Sequence, residues 1–583
     1  MVEYLKQMSA IVSDSTEEEA EAAIGAIAQE VKGKELLVAT DQKLSKVLEK
    51  LIESNASRQF VIKPIFRQLN SVVLDLVYDQ YGSHVFETLL RALPETGMDR
   101  ELEEVVTNFT ESVCSDVGGI MSDVRSTFVL RAAALAFSGF TKPEGDDIVV
   151  GISKMEPRAD ISPGLVKCFD AIMTGLVSLS SDEIGNIAAE VHSSVTLQLL
   201  LALQAKMNYS LCESLMKRIL RKAGSRELDE EFLSSSLDDR VKSKLLEAMV
   251  CILNAKESKL SVHLVDRFIA QTGDVLAMVD GDSTPILQGT RSIFDLKYSF
   301  GFLQVFVSSL KNEAVFTSLV SSLLTVEKIR ECVKKGRGNG IALIQRFAEK
   351  AVIFIDSQKI FVQNLTAAIG INSKSASAVW VRLLTMNVDS FDDSLECETE
   401  IMIDESKITP QGCLLLSTLM AFKQQPIQIL ISNTALLVDH LKDAQIEQSK
   451  FFTEVGPGRT LQTIMSSTCA LPTGIKKKII KAVILSRTTE QLAILATDRK
   501  VGSWMITTIW DSCTGDVQLK QELGESLLKI EGIRELNWKV WKHCELATFT
   551  RRNDQWTATE KRKAKVQNVF KDIIGTDTKK VRK

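Results

Sequence analysis

Ser45-Lys46-Val47-Leu48-Glu49, Ser83-His84-Val85-Phe86-Glu87 and Ser243-Lys244-Leu245-Leu246-Glu247 are three copies of one five-residue template. In each, Ser and Glu stand four apart, and apolar pairs return after the Glu as Leu51/Ile52, Leu89/Leu90 and Met249/Val250. A spacing of four sets Ser and Glu on one helix face, one turn apart, with the second residue beside them. The apolar members turn the opposite way. The template therefore predicts a helix with one face packed into a stack and one face displaying Ser, a Lys or His, and Glu.

Weaker copies carry the pattern along the chain. They are Thr127-Phe128-Val129-Leu130-Arg131, Ser194-Val195-Thr196-Leu197-Gln198, Thr284-Pro285-Ile286-Leu287-Gln288 and Ile341-Ala342-Leu343-Ile344-Gln345. Cys413-Leu414-Leu415-Leu416-Ser417, Gly458-Arg459-Thr460-Leu461-Gln462, Ser503-Trp504-Met505-Ile506-Thr507 and Trp538-Lys539-Val540-Trp541-Lys542 complete eleven units, most of them 35 to 57 residues apart. The two longer gaps precede Ser194 and Cys413. They hold Thr141 to Pro163 and the acidic Asp389 to Asp404, which read as inserted loops because they are polar, charged or broken by Pro and Gly. Elsewhere apolar residues recur with helical spacing, as from Val241 to Leu253 and Ile475 to Leu485, between short breaks such as Pro94-Glu95-Thr96-Gly97. At 583 residues the chain exceeds one ordinary core. Units of this size bury their apolar faces only against neighbours. The expected fold is an all-α, curved solenoid of about eleven helical repeats in one continuous array.

Composition agrees with that fold and narrows the function. Only 10 prolines and 6% aromatics accompany 45% hydrophobic and 25% charged residues, which favours helix in a folded soluble chain. No apolar run approaches the ~20 residues of a membrane span, and the start lacks a basic segment leading into an apolar one. The ten cysteines form no C-x-x-C pair, which suits reduced thiols inside a cell. The net charge of −5 divides unevenly: Arg551 to Lys583 carries eleven Lys and Arg against four Asp and Glu, leaving the body acidic. Nucleic acid must then meet a local face, not a general basic field. Lys217, Arg218, Arg221 and Lys222 cluster, as do Lys328, Arg330, Lys334, Lys335 and Arg337, and Lys476, Lys477, Lys478 and Lys481; each group reads as a solvated helix face. Walker A, G-x-G-x-x-G, H-E-x-x-H and G-x-S-x-G patterns are absent, and His543-Cys544 has no matching Cys/His pair. Neither catalysis, metal nor cofactor is expected.

The pentads, with Tyr81-Gly82-Ser83-His84-Val85, Val501-Gly502-Ser503-Trp504 and Gly456-Pro457-Gly458-Arg459, resemble Pumilio (PUF) repeats, and more narrowly those of the nucleolar protein 9 family. The segment from Val540 to Leu546, followed by Arg551-Arg552 and Trp556, is similar to that family's ending. The resemblance runs from about Ala39 to Ile574. It implies that the first and fifth pentad residues reach an RNA base edge while the second stacks between bases. Ser45/Glu49, Ser83/Glu87 and Ser243/Glu247 then have the guanine-type combination, because a carboxylate accepts from guanine's N1–H and N2–H₂ together. Ser194/Gln198 resembles the adenine type. His84, Phe128, Arg459 and Trp504 offer flat groups for stacking, and Lys46 and Lys244 contact base or phosphate. Thr127, Arg131, Gln288, Gln462 and Ser503 belong to the surface by their places in the pentads. No repeat carries the Asn/Gln pair typical of uracil, and Ile341, Cys413 and Pro285 read bases poorly, so RNA shape contributes.

The resemblance implies a monomeric protein that binds RNA, specifically precursor ribosomal RNA during small-subunit maturation, in the nucleolus or nucleus with other pre-ribosome proteins and no membrane. Residues 1–38 are expected to form a helical cap, 39–550 the repeat array, and 551–583 a basic helix and tail suited to nuclear import or phosphate contact. A HEAT- or armadillo-like protein-binding scaffold explains helicity, length and acidity equally well. It does not explain the recurring Ser-x-x-x-Glu pentads.

Overall fold

The computed structural model describes residues 1–580 apart from 15, 56, 142–147, 159–160, 222–226, 265–292, 372–378, 392–401, 424–433, 467–468, 470 and 514–515. Among the described residues the chain is helical without β-strands, and no single helix is long and apolar enough to cross a membrane. The helices form two compact units, Met1–Asp266 with Leu296–Lys311, and Arg267–Asp295 with Asn312–Lys583.

Each unit repeats a motif of a short entry helix, a pentad helix and an outer helix. In the first unit the pentads lie on α1 (Gln42–Ser54), α2 (Gly82–Thr96), α3 (Val124–Ser138), α4 (Val191–Met207) and α5 (Arg240–Ala255), and α6 (Ser299–Ser309) packs on α5. In the second they lie on α7 (Gly338–Ile353), α8 (Pro410–Leu419), α9 (Val455–Met465), α10 (Gly502–Ser512) and α11 (Trp538–His543). Within each unit every pentad helix packs on the next.

Two local signals fix where a pentad helix begins. The first is an aspartate four residues before the pentad. Asp41, Asp79, Asp123 and Asp239 each accept hydrogen bonds from two backbone N–H groups of the following turn, at 2.8–2.9 Å. These donors have no partner inside the helix, and the carboxylate also suits the positive end of the helix dipole.

The second signal is a small residue directly before the pentad. There the entry helix presses a backbone carbonyl against the pentad helix: a Cβ on Gly502 would lie 2.1 Å from the Leu495 carbonyl oxygen, and one on Gly412 2.2 Å from that of Leu383. Where the residue is Ser126, its hydroxyl donates to the Ile120 carbonyl at 3.1 Å. Gly502→Ala is therefore expected to lower stability by about 1–3 kcal/mol through overpacking. An unchanged chemical denaturation midpoint would show that α10 is free to shift.

The apolar pentad members build the core. Phe86 of α2 lies 5.3 Å from Phe109 and 6.0 Å from Phe66 of the outer helices, and Phe109 is 6.5 Å from Phe137 of α3, so one aromatic ladder binds successive repeats. Each fully buried Phe contributes ~1.5–3 kcal/mol relative to exposure.

Of the first insertion, residues 148–158 include the helix Ile148–Ser153, which packs on α4, where Lys206 donates to the Met155 carbonyl at 3.2 Å. Sequence suggested a loop; the short helix is held by a partner distant in sequence, which local pattern does not display. Most of the second insertion lies outside the described residues.

The basic C-terminal segment begins as part of the second unit's core. Trp556 of helix Asn553–Lys580 is buried, 4.8 Å from Phe549 and 5.9 Å from Trp510. Four residues on, the buried Glu560 accepts from the equally buried Lys520 at 2.8 Å.

Candidate nucleic-acid interface

Most of the described pentads share one pattern of exposure, which Trp538, first in the last of them, breaks at 55% exposed. The first residue is buried in Ser45, Ser83, Thr127, Ser194, Ser243 and Ser503, whereas the second is exposed in Lys46, His84, Phe128, Lys244, Arg459 and Trp504. Trp504 is 59% and Phe128 41% exposed, although Trp380, Trp510 and Trp556 show that this chain can bury large rings. The third and fourth residues are mostly buried, and the fifth sits at the boundary. Each unit thus presents a row of flat or cationic side chains edged by partly buried hydrogen-bonding groups.

The first-place hydroxyls point back into their own helices. Ser243 donates to the Arg240 carbonyl at 3.0 Å, Thr127 to Val124 at 2.7 Å and Ser83 to Gln80 at 3.4 Å. Their lone pairs remain, but they are held close to the helix surface.

The three carboxylates differ in their surroundings. Glu87 is 6% exposed and accepts from Arg91 Nη2 at 2.6 Å, with His84 Nδ1 at 3.5 Å. Glu247 is 8% exposed and accepts from Lys244 Nζ at 2.7 Å. Cations of the same helix thus neutralise both. Glu49 has no such pair among its described neighbours. Burial pushes its pKa up, the neighbouring His84 and Lys46 oppose that, and Glu53 and Glu87 reinforce it, so the carboxyl titrates above its usual range. Glu49 lies beside this group, since α1 packs directly on α2.

Other candidate residues are engaged inside the protein. Arg131 donates from Nε to Thr196 at 2.7 Å and from Nη2 to the His192 carbonyl at 2.8 Å, which ties α3 to α4, and its guanidinium lies 4.9 Å from the Phe128 ring centre. Gln198 Nε2 donates weakly to Ser194 at 3.5 Å, and Gln462 Nε2 to the Val501 carbonyl at 3.5 Å. Gln288 lies outside the described residues. Among the described residues α6 also packs on α5, and there Phe300, Gly301, Phe302, Leu303 and Gln304 follow the pentad's burial pattern. Gln304 is a fifth-place residue that sequence reasoning missed. Gly301 occupies the usually bulky second place, with Glu247 Oε1 3.5 Å from where its Cβ would be.

Cations of two of the charge clusters are engaged within the protein. Lys335 pairs with Glu331 at 2.6 Å and Asp295 at 2.8 Å, Lys477 pairs with Asp516 at 2.6 Å, and Lys476 Nζ donates to the Ser466 and Cys469 carbonyls at 2.6 and 2.7 Å. These cations close helix ends and join elements.

Beside Phe128 the first unit opens into a cleft of about 730 Å³, bounded by α2, α3, α4 and the start of the inserted helix. Its lining runs along α2 from Glu87 to Glu95 and along α3 from Phe128 to Ala136.

Stacked three-helix repeats whose middle helices display a Ser-x-x-x-Glu pentad give this chain the fold of a Pumilio-type (PUF) repeat solenoid. Residues 33–271 match the family described as the NOP9-like PUF repeat domain. The chain is 22% identical to nucleolar protein 9 of Blastomyces gilchristii over 94% of this chain and 80% of that protein. It is 20% identical to Pumilio homolog 23 of Arabidopsis thaliana, over 96% and 72%. The fold agrees with the solved structure described as APUM23-GGAAUUGACGG, at a TM-score of 0.61 and 17% identity over 96% of this chain and 99% of that one.

Proposed function

We propose that this protein binds single-stranded or structured RNA on its pentad surface, with Glu49, Glu87 and Glu247 reading guanine and the exposed second-place residues stacking on bases or meeting phosphates. The observation that carries this reading is the pair of mostly buried carboxylates, Glu87 and Glu247, each held by one cation beside exposed stacking groups. A carboxylate facing a polyanion must be compensated, and guanine's two adjacent donors do this in the bound state. Gln198 and Gln304 serve as amide readers. Arg459 and Trp504 hold bases with less regard to sequence, since every base has a stacking face.

The relatives' names, nucleolar protein 9 and Pumilio homolog 23, support the rest of the proposal. The target is precursor ribosomal RNA, the process small-subunit maturation, and the place the nucleolus. The protein acts as a monomeric binding protein, not an enzyme, alongside other pre-ribosome proteins. In this reading residues 1–38 cap the array, 39–550 form it, and 551–583 add a docked helix and a basic tail for import.

Crosslinking in cells and binding-site selection in vitro at one salt concentration test the proposal. The expected result is precursor ribosomal RNA in the first experiment and guanine-containing sequences in the second. Recovery of a partner protein with no enriched RNA would favour a protein-binding scaffold instead. Lys46→Ala with Lys244→Ala should weaken binding to all sequences alike and flatten the salt dependence by up to ~0.7 for each phosphate no longer neutralised. An unchanged salt slope would show that neither lysine meets a phosphate.

A further inference from the structure

We propose that the cleft beside Phe128 is a nucleotide site in its own right: it draws one base of the bound RNA out of the row and holds it against apolar side chains. The inference rests on the RNA-binding reading above and adds to it a site whose ligand is an unstacked nucleobase. The cleft lies wholly within the first unit, and its volume of about 730 Å³ falls in the range of small-ligand sites, which are mostly apolar with a few polar groups. Four pentad residues form its wall on the row side: Glu87 of α2, Phe128 and Arg131 of α3, and Val195 of α4. The floor is Ala132, Leu135, Ala136 and Leu199. Two small side chains on α3 thus leave the space, with Ile148 of the inserted helix on its lining.

Three observations select a base as the occupant. First, the edge-reading place of α3 is taken by Arg131, whose hydrogen bonds to Thr196 and the His192 carbonyl make it a structural tie. A base opposite this repeat meets no Glu or Gln and needs another means of support. Second, Phe128 is 41% exposed at the cleft's edge with the Arg131 guanidinium 4.9 Å from its ring centre. A ring and a planar cation side by side form a surface on which a base stacks. Third, the lining carries Arg91, Arg131 and Arg158 against Glu87 and Glu95, a net positive balance that suits a phosphate leaving the line of the row. The cleft also opens directly onto the proposed reading residues, so a strand held by Glu49 and Glu87 passes its mouth.

The test uses the full chain and the RNA recovered by selection with the wild type, together with a series in which one base at a time is replaced by an abasic site. Ala136→Leu, and Ala132→Met as a second variant, fill the floor without touching Glu87, Phe128 or Arg131. Removing one particular base outside the read guanines should weaken wild-type binding on the order of tenfold, the size of one base–aromatic stack. The filled variants should bind the intact RNA about that much more weakly and no longer distinguish it from that abasic RNA. Filled variants with wild-type melting temperature, affinity and abasic profile would overturn the proposal and assign the cleft to another ligand, such as an apolar side chain of a protein partner. If neither filled variant folds, Leu135→Phe on the same floor takes their place with the same expected result, and wild-type affinity and abasic profile in it overturn the proposal. A selection that enriches no RNA at all would instead defeat the underlying RNA-binding reading.

Discussion

Changing Glu49, Glu87 and Glu247 together to Gln should leave the chain folded and erase its preference for guanine at three RNA positions. The expected loss of discrimination is ~1–3 kcal/mol per position, by analogy with good bidentate base pairing by side chains. The physical cause is donor–acceptor matching. A carboxylate accepts from guanine N1–H and N2–H₂ at once, whereas the Gln amide nitrogen only donates and leaves one base donor unmet. Folding should be little affected, because Arg91 and Lys244, the cations released from Glu87 and Glu247, are themselves exposed. Binding-site selection on both proteins at one salt concentration measures the effect. Identical selected sequences would show that these carboxylates are ordinary helix surface. Mild acid should weaken acceptance at the Glu49 position. Burial holds that carboxyl above the usual glutamate range, so it takes up a proton, and stops accepting hydrogen bonds, at a higher pH than an ordinary glutamate.

Removing Glu560 should have the largest effect on stability. Lys520 is 4% exposed and Glu560 1% exposed, and the pair is joined at 2.8 Å with Lys520 Nζ also 4.8 Å from the Trp510 ring centre. Glu560→Ala leaves a buried ammonium without its counter-charge, which destabilises by about 3–5 kcal/mol. The helix that starts at Asn553 should detach, and the tryptophan emission should shift to longer wavelength as Trp556 meets water. Replacing both partners by Met should restore most of the stability, since an apolar pair needs no compensation. If the double variant is as unstable as Glu560→Ala, charge pairing is not what holds the helix.

The same pair sets a pH dependence. Burial pushes Glu560 up, but its hydrogen bonds to Lys520 and Lys563 outweigh that and hold the carboxyl below its ordinary value. A carboxyl with a depressed folded pKa stabilises fully above its unfolded value of ~4.3, and that stability is lost as pH falls through the lower folded value. Thermal melting followed at decreasing pH should show this loss in the wild type and not in the double Met variant.

The pentad pattern was legible because each copy is a local object. Ser and Glu four apart, apolar residues between and after them, and polar breaks at fixed intervals determine helix faces from sequence alone, and with them the repeat class and the register of Ser45, Ser83, Thr127, Ser194, Ser243, Gly458 and Ser503. The aspartate caps at 41, 79, 123 and 239 and the small residues before the pentads were equally local and would have sharpened that register. What sequence did not display was the place of α6. Phe300 to Gln304 opens with a bulky apolar residue, unlike Ser45 or Ser83, and only its packing against α5 shows that it follows the pentad pattern.

The fate of each polar group was likewise a tertiary matter. Arg131 and the Lys476 cluster look like free cations in a sequence, yet their partners stand 61–65 and 7–10 residues away. Trp556 and Glu560 read as part of a basic tail until the Val517–Leu528 helix meets them. The cleft at Phe128 needs four separate segments to exist. Sequence alone therefore determined the repeat, its helical faces and the chemistry it displays, because these depend on residues within a turn or two of one another. Burial, ion pairing and the cleft depend on residues brought together from distant repeats, and only the tertiary structure decided them.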